Sequence, residues 1–337
     1  MDEPLGLGIL GCGVISATYL EALRASGQSD WRLVAVCDVD AEKARAAAGE
    51  DAAAYADLDR LLADRRVDAV VVLLPNYLHA DATVRALGAG KPVLVEKPMA
   101  TTLEDCDRMI AAADQAGKVL MVGMTNRFRL PFRTARARLR AGEFGSLTFI
   151  ADAFNYRPAP DYRPRAWLTR PETVGGGMFT QMGIHSLDRA IWLAGAAPAW
   201  AHAVIRNVGG IWPDDTGLAT LGLADGTHIQ FQTDGLAMQR RNECVLHCSE
   251  ATVAVTGRQM MVYRRPEPEV QTFEDNPMAQ ELREFAAAVR SGGPSPLDGR
   301  EGRVPVAICL ACYESSRAGR VVRLDEPPWS VPAPARA

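Results

Sequence analysis

Lysine is almost missing from this chain. Of 37 basic residues only four are lysine (Lys43, Lys91, Lys97 and Lys118), and arginine supplies the rest. Basic residues are not in excess either: 41 acidic residues leave a formal net charge of −4, which excludes a general nucleic-acid binder. No apolar run approaches the roughly 20 residues that a membrane-crossing helix needs. The opening "MDEPLGLGIL" has neither a basic leader nor a cleavage site, so no secretory signal is expected. Seven cysteines, an odd number scattered along the chain, do not make a disulfide framework. Together these absences predict a soluble cytoplasmic protein with no membrane or nucleic-acid partner. Cys309 and Cys312 in "VPVAICLACYESSRA" lie one helical turn apart, and Cys244 and Cys248 alternate with Leu246 in a strand-like stretch; both pairs read as core, and no metal site is expected. No internal repeat is visible.

What the sequence does have is alternation. "LGLGIL", "RLVAVCD", "DAVVVLLP", "PVLVEKP" and "KVLMVG" are continuous apolar strands separated by helical stretches. That order predicts an α/β half, a doubly wound parallel sheet covered on both faces, over residues 1–124. From 125 to 325 the pattern changes to α+β: a helix near Phe132–Arg140, a helix predicted over Met178–Leu193, and consecutive alternating strands from "AWAHAVIRNV" to "MMVYRR". Strands without intervening helices predict a large, mostly antiparallel open sheet with helices on one face. Helices near Met278–Ser291 and Glu301–Ala318 follow, then a Pro/Ala-rich tail at 326–337.

Between the first strand and first helix stand Gly11, Gly13 and Ser16. Gly11 permits a tight turn, Gly13 lets the backbone approach a pyrophosphate, and the helix start with Val14 and Ile15 offers free N–H groups to an anion. Asp38 ends the next strand, where a carboxylate binds the ribose diol of NAD and repels the extra phosphate of NADP. NAD is therefore expected, with NADP possible. "LPNYLH" places Leu74, Pro75, Asn76 and His79 at the C-terminal sheet edge, where cofactor halves sit; helix capping by Asn76 and a surface position for His79 are the plain alternatives.

Lys97 follows Glu96 at the same edge. Lysine can have its pKa shifted and share a proton, which arginine cannot do at any working pH. A site that steadies an alkoxide would keep lysine in an arginine-biased chain; a simple ion pair with Glu96 is the bland reading.

With "VEKP" in place, "PNYLH", "VGMTNRF", "GEFGSL", "GGGMFTQMGIHSLD" and "RVPVAICLACYESSRAGRVVRL" appear in an order that resembles the Gfo/Idh/MocA oxidoreductases over residues 5–325. The resemblance implies a Rossmann half, a nicotinamide cofactor, and hydride exchange with a secondary alcohol or ketone of a carbohydrate-like substrate. It implies Lys97 at the reacting oxygen and His185 as general acid/base. Asp188 matches the last Asp of the family's D-x-G-x-H-x-x-D stretch, but Gln181 stands where many members carry Asp. Glutamine can hydrogen-bond a hydroxyl yet cannot take its proton. If 178–193 is one helix, Gln181, His185 and Asp188 share a face. Asn126 is expected near the cofactor, and Arg127, Tyr156 and Arg165 near the substrate. Arg157, Arg163, Arg165 and Arg170 favour an anionic substrate if they face the cleft, while a solvated basic loop, or one packed on a partner subunit, is the plainer reading. A homodimer or homotetramer through the second sheet is also implied. Two rivals share the scaffold: NAD-dependent glycoside cleavage or elimination with recycled cofactor, and a non-catalytic NAD-binding regulator.

Overall fold

The computed structural model describes residues 3–331 apart from 28, 160, 265 and 266. Contacts divide the chain into two compact units: the residues up to Met124 together with Asn276–Gly302, and Thr125–Asp275 together with the residues after Gly302.

The first unit is built on six parallel strands: β1 (Leu5–Leu10), β2 (Trp31–Cys37), β3 (Ala53–Tyr55), β4 (Ala69–Val72), β5 (Val93–Glu96) and β6 (Leu120–Gly123). Their order is β3-β2-β1-β4-β5-β6, the doubly wound arrangement that the alternation predicts. Every residue of β4, β5 and β6 is buried, as strands covered on both faces must be. The order reverses between β1 and β4, so the loops after these strands open where dinucleotides bind in such sheets. β3 is three residues long, and only one strand pairs with it. So short an edge strand leaves no periodic trace, and the sequence pattern does not reveal it.

The helix Pro277–Ser291 belongs to this unit, although chain order alone assigns it to the second domain. Its apolar face explains the return. The Trp31 indole donates to the Leu282 carbonyl at 2.7 Å, and its ring stacks on Phe285 with centroids 5.2 Å apart.

The second unit carries nine strands: β7 (Leu147–Asn155), β8 (Pro198–Arg206), β9 (Thr216–Leu223), β10 (His228–Asp234), β11 (Arg241–Cys248), β12 (Thr252–Thr256), β13 (Gln259–Tyr263), β14 (Glu269–Thr272) and β15 (Val322–Arg323). The order is β14-β13-β12-β11-β7-β10-β9-β8-β15, antiparallel except for the β7–β10 pair. Helices Leu130–Arg140 and Gly183–Ala194 pack on one face. On the other face Val204 and Leu218, partners across β8 and β9, stay exposed. Of the tail at 326–337, residues 332–337 lie outside those described.

One expected helix is two. Met178–Gln181 ends at Met182, and Gly183–Ala194 starts afresh. The break is a packing matter: a Cβ on Gly183 would sit 2.8 Å from Cζ of Phe231, so only glycine lets the chain pass this ring.

Candidate active site

In the first unit the glycine turn is shaped for a close visitor. Gly11 has φ +99°, and a Cβ there would meet the Leu73 carbonyl oxygen at 2.6 Å. Gly13 then caps the helix Val14–Ala25 with no side chain on its N–H groups, which are left for an anion. Val14 and Ile15 are exposed apolar residues beside it. Ser16 turns inward and donates to the Gly13 carbonyl at 2.7 Å.

Asp38 is tied to that turn. One carboxylate oxygen accepts from the Cys12 N–H at 2.7 Å and the other from the Asp40 N–H at 2.9 Å. Each oxygen keeps a lone pair for a further donor, so a ribose diol fits there. Burial, then Asp38, pushes the neighbouring Cys12 thiol up to about 12, which leaves it a neutral bystander. The uncapped helix start, the clash that Gly11 avoids and the doubly anchored Asp38 together fit an NAD pyrophosphate and ribose.

Leu74 and Pro75 follow β4 half-buried, and Asn76 is buried in a short turn of helix. His79 is neither at the surface nor open to a ligand. It is 1% exposed, with Nδ1 2.9 Å from the Pro98 carbonyl and Nε2 2.7 Å from the Leu74 carbonyl. It joins the loop after β4 to the loop after β5. Burial holds the imidazole below its ordinary value, against the pull of the two carbonyls.

Glu96 ends β5 buried. Its Oε2 accepts the Lys97 backbone N–H at 2.9 Å, and its Oε1 accepts from the Tyr19 hydroxyl at 3.1 Å. Burial raises Glu96, and the Lys97 charge opposes this. Lys97 itself is half-buried, and desolvation lowers its ammonium while Glu96 holds it up. A lysine in that setting is nearer to giving up a proton than a surface one.

In the second unit Asp188 and Arg127, both expected to face a substrate, face each other. They form a buried two-pronged ion pair. Arg189, next along the helix, grips Asp152 of β7 in the same way at 2.7 Å through Nε and 2.7 Å through Nη2. Two sealed pairs thus pin helix Gly183–Ala194, and His185 lies half-buried near its start. Gln181 ends the preceding short helix and points its amide at the Val174 carbonyl, 3.4 Å away.

That short helix has its own clamp, which no motif announces. Asp214 accepts from the N–H groups of Gly177 at 2.6 Å and Phe179 at 2.8 Å, and from the Tyr313 hydroxyl at 2.6 Å. Asp214 comes from a turn and Tyr313 from a late helix, so only the fold brings them together. Tyr156 is half-buried with the Arg240 guanidinium 5.6 Å from its ring, while Arg165 is exposed. Asn126 accepts from the Arg129 side chain at 3.1 Å. Among the described residues no group of three or more His, Cys, Asp or Glu could hold a metal ion.

Comparison with known proteins follows the same division. Residues 5–124 match the oxidoreductase family with an NAD-binding Rossmann fold, and residues 132–254 match the GFO/IDH/MocA C-terminal domain. Inositol 2-dehydrogenase 2 of Saccharopolyspora erythraea is 28% identical, covering 96% of this chain and 96% of its own. The 1,5-anhydro-D-fructose reductase of Ensifer adhaerens is 28% identical, over 94% of this chain and 98% of its own. Among solved structures, the aldose-aldose oxidoreductase from Caulobacter crescentus complexed with glycerol superposes with a TM-score of 0.85 at 26% identity, over 95% of this chain and 100% of that one.

Proposed function

This chain belongs to the GFO/IDH/MocA family of NAD-binding oxidoreductases that act on CH–OH groups, and on that premise we propose that it oxidises a secondary alcohol of a sugar or polyol, or reduces the matching ketone. The names of the relatives, an inositol dehydrogenase and an anhydrofructose reductase, support this substrate class. The observation that carries the reading is Lys97: a desolvated amine, one of four lysines, at the cofactor edge of the parallel sheet.

The doubly anchored Asp38 supports NAD over NADP. Bound at the glycine turn, the dinucleotide supplies the hydride acceptor or donor. In oxidation His185 takes the hydroxyl proton, and Lys97 steadies the developing oxyanion with its ammonium. Gln181 hydrogen-bonds a substrate hydroxyl but leaves all proton transfer to those two. Arg127 and Asp188, spent on each other, position the helix that carries His185. Leu74, Pro75, Asn76 and Asn126 line the cofactor, and Tyr156 and Arg165 reach the substrate. The two rival chemistries draw no specific support from this geometry.

The exposed face around Val204 and Leu218 meets a second copy of the chain, and seven unbridged cysteines fit a reducing cytoplasm. A panel of neutral and acidic sugars and polyols, offered with NAD and with NADP, tests the assignment. Substrate-dependent NADH formation supports it, and cofactor that turns over without net reduction contradicts it.

A further inference from the structure

Three glycines precede the short helix that ends in Gln181, and the space beside them is already taken. Gly175 and Gly176 have φ of +76° and +127°, where a side chain is strained. A Cβ on Gly176 would overlap the Tyr313 hydroxyl and lie 2.6 Å from Oγ1 of Thr180, and one on Gly177 would overlap the Asp214 backbone. The run is glycine because Asp214 and Tyr313 stand against it.

Asp214 spends both its oxygens there. Its Oδ2 accepts from the Tyr313 hydroxyl and from the Gly177 N–H, each at 2.6 Å, and its Oδ1 accepts from the Phe179 N–H at 2.8 Å. Burial raises this carboxyl, and the Tyr313 hydroxyl leads the donors that oppose the rise. Thr180 donates to the Gly175 carbonyl at 3.1 Å, and the Tyr313 ring meets Phe179 edge-on with centroids 5.8 Å apart. Gln181 is attached at both ends of the run. Its backbone N–H donates to the Gly177 carbonyl at 2.9 Å, and its side-chain amide donates to the Val174 carbonyl at 3.4 Å. Where Gln181 stands therefore depends on how the glycines are held.

We propose that Asp214 and Tyr313 are positioning residues for substrate binding: they hold the glycine run so that the Gln181 amide meets a substrate hydroxyl. The consequence for substrate rests on the role given to Gln181 above; the clamp itself does not. A group that only binds a hydroxyl contributes equally in the ground state and the transition state, so displacing it raises KM and spares kcat. A clamp that served His185 instead would show in kcat, and a merely structural one in Tm alone.

The test uses two variants. Y313F keeps the ring against Phe179 and removes only the hydroxyl, while D214N keeps the side-chain size but offers an amide to three donors. Without cofactor or substrate, the Phe179 and Gln181 amides should exchange hydrogen about tenfold faster in both variants, with the amides of β7 unchanged. Unchanged exchange at Phe179 and Gln181 overturns the clamp. On the sugar or polyol turned over fastest in the panel above, Y313F should raise KM about tenfold and leave kcat within about threefold. Q181A should do the same, and the double variant Y313F/Q181A should add little to Q181A. KM increases that multiply in the double variant, or a Y313F effect confined to kcat, overturn the proposal. If Q181A leaves KM unmoved while the exchange rates rise, the role of Gln181 fails and the clamp stands.

Discussion

Arg127 closes on Asp188 through two parallel bonds, Nε to Oδ2 at 2.9 Å and Nη2 to Oδ1 at 2.7 Å. Both side chains are almost sealed from water, and Asp188 lies less than one helical turn beyond His185. Breaking such a pair from one side leaves a buried charge, which costs about 3–5 kcal/mol. Asp188→Ala should lose that much in urea unfolding, while the double variant R127M/D188L, apolar on both sides, should recover most of it. A loss under about 1 kcal/mol for D188A would mean the pair behaves as an exposed one.

Lys97→Met removes the amine and keeps the bulk of the side chain. Turnover should drop by about 10²-fold or more, with NAD affinity, measured by calorimetry, close to wild type. Turnover that survives this change would remove Lys97 from the mechanism.

Asp38 binds its own glycine turn and has lone pairs to spare. Asp38→Ala should raise the KM for NAD about tenfold, equal to roughly 1.4 kcal/mol, and improve NADP relative to NAD. Initial rates with the two cofactors check this, and an unchanged ratio would contradict it.

His79 links acidity to stability. Burial depresses its folded-state value below the ordinary 6.5 or so, so the unfolded chain binds more protons in that range. Its contribution is complete above the unfolded value and is lost as pH falls below it towards the folded one. The glutamine introduced by H79Q cannot titrate, so the Tm advantage of wild type over H79Q should shrink from neutral pH into the acid range. An advantage that grows in acid would show an imidazolium bridging the Leu74 and Pro98 carbonyls.

The first half of the fold was legible because buried parallel strands write themselves as unbroken apolar runs, as β4 and β5 do. Gly11 was legible because a positive φ favours glycine, while Asp38 stood out as a carboxylate at a strand end and Lys97 as an amine in an arginine-biased chain. Periodicity misled at Met182, where a tertiary contact between Gly183 and Phe231 breaks a helix that the local pattern continues. It was silent on Asp214 with Tyr313 and on Tyr19 with Glu96, because neither pair is close in sequence. Arg127 and Asp188 had the residue types of a binding site, and the sequence could not tell that each is the other's partner.

The central claim is that Lys97 and His185 act on one hydroxyl. The kcat/KM for a turned-over polyol or sugar, at saturating NAD, should be measured for K97M, H185N and the double variant. Groups that work as a unit lose their function together, so each single change should cause most of the loss and the double little more. Losses that multiply, or an H185N variant that retains wild-type kcat/KM, would contradict the account.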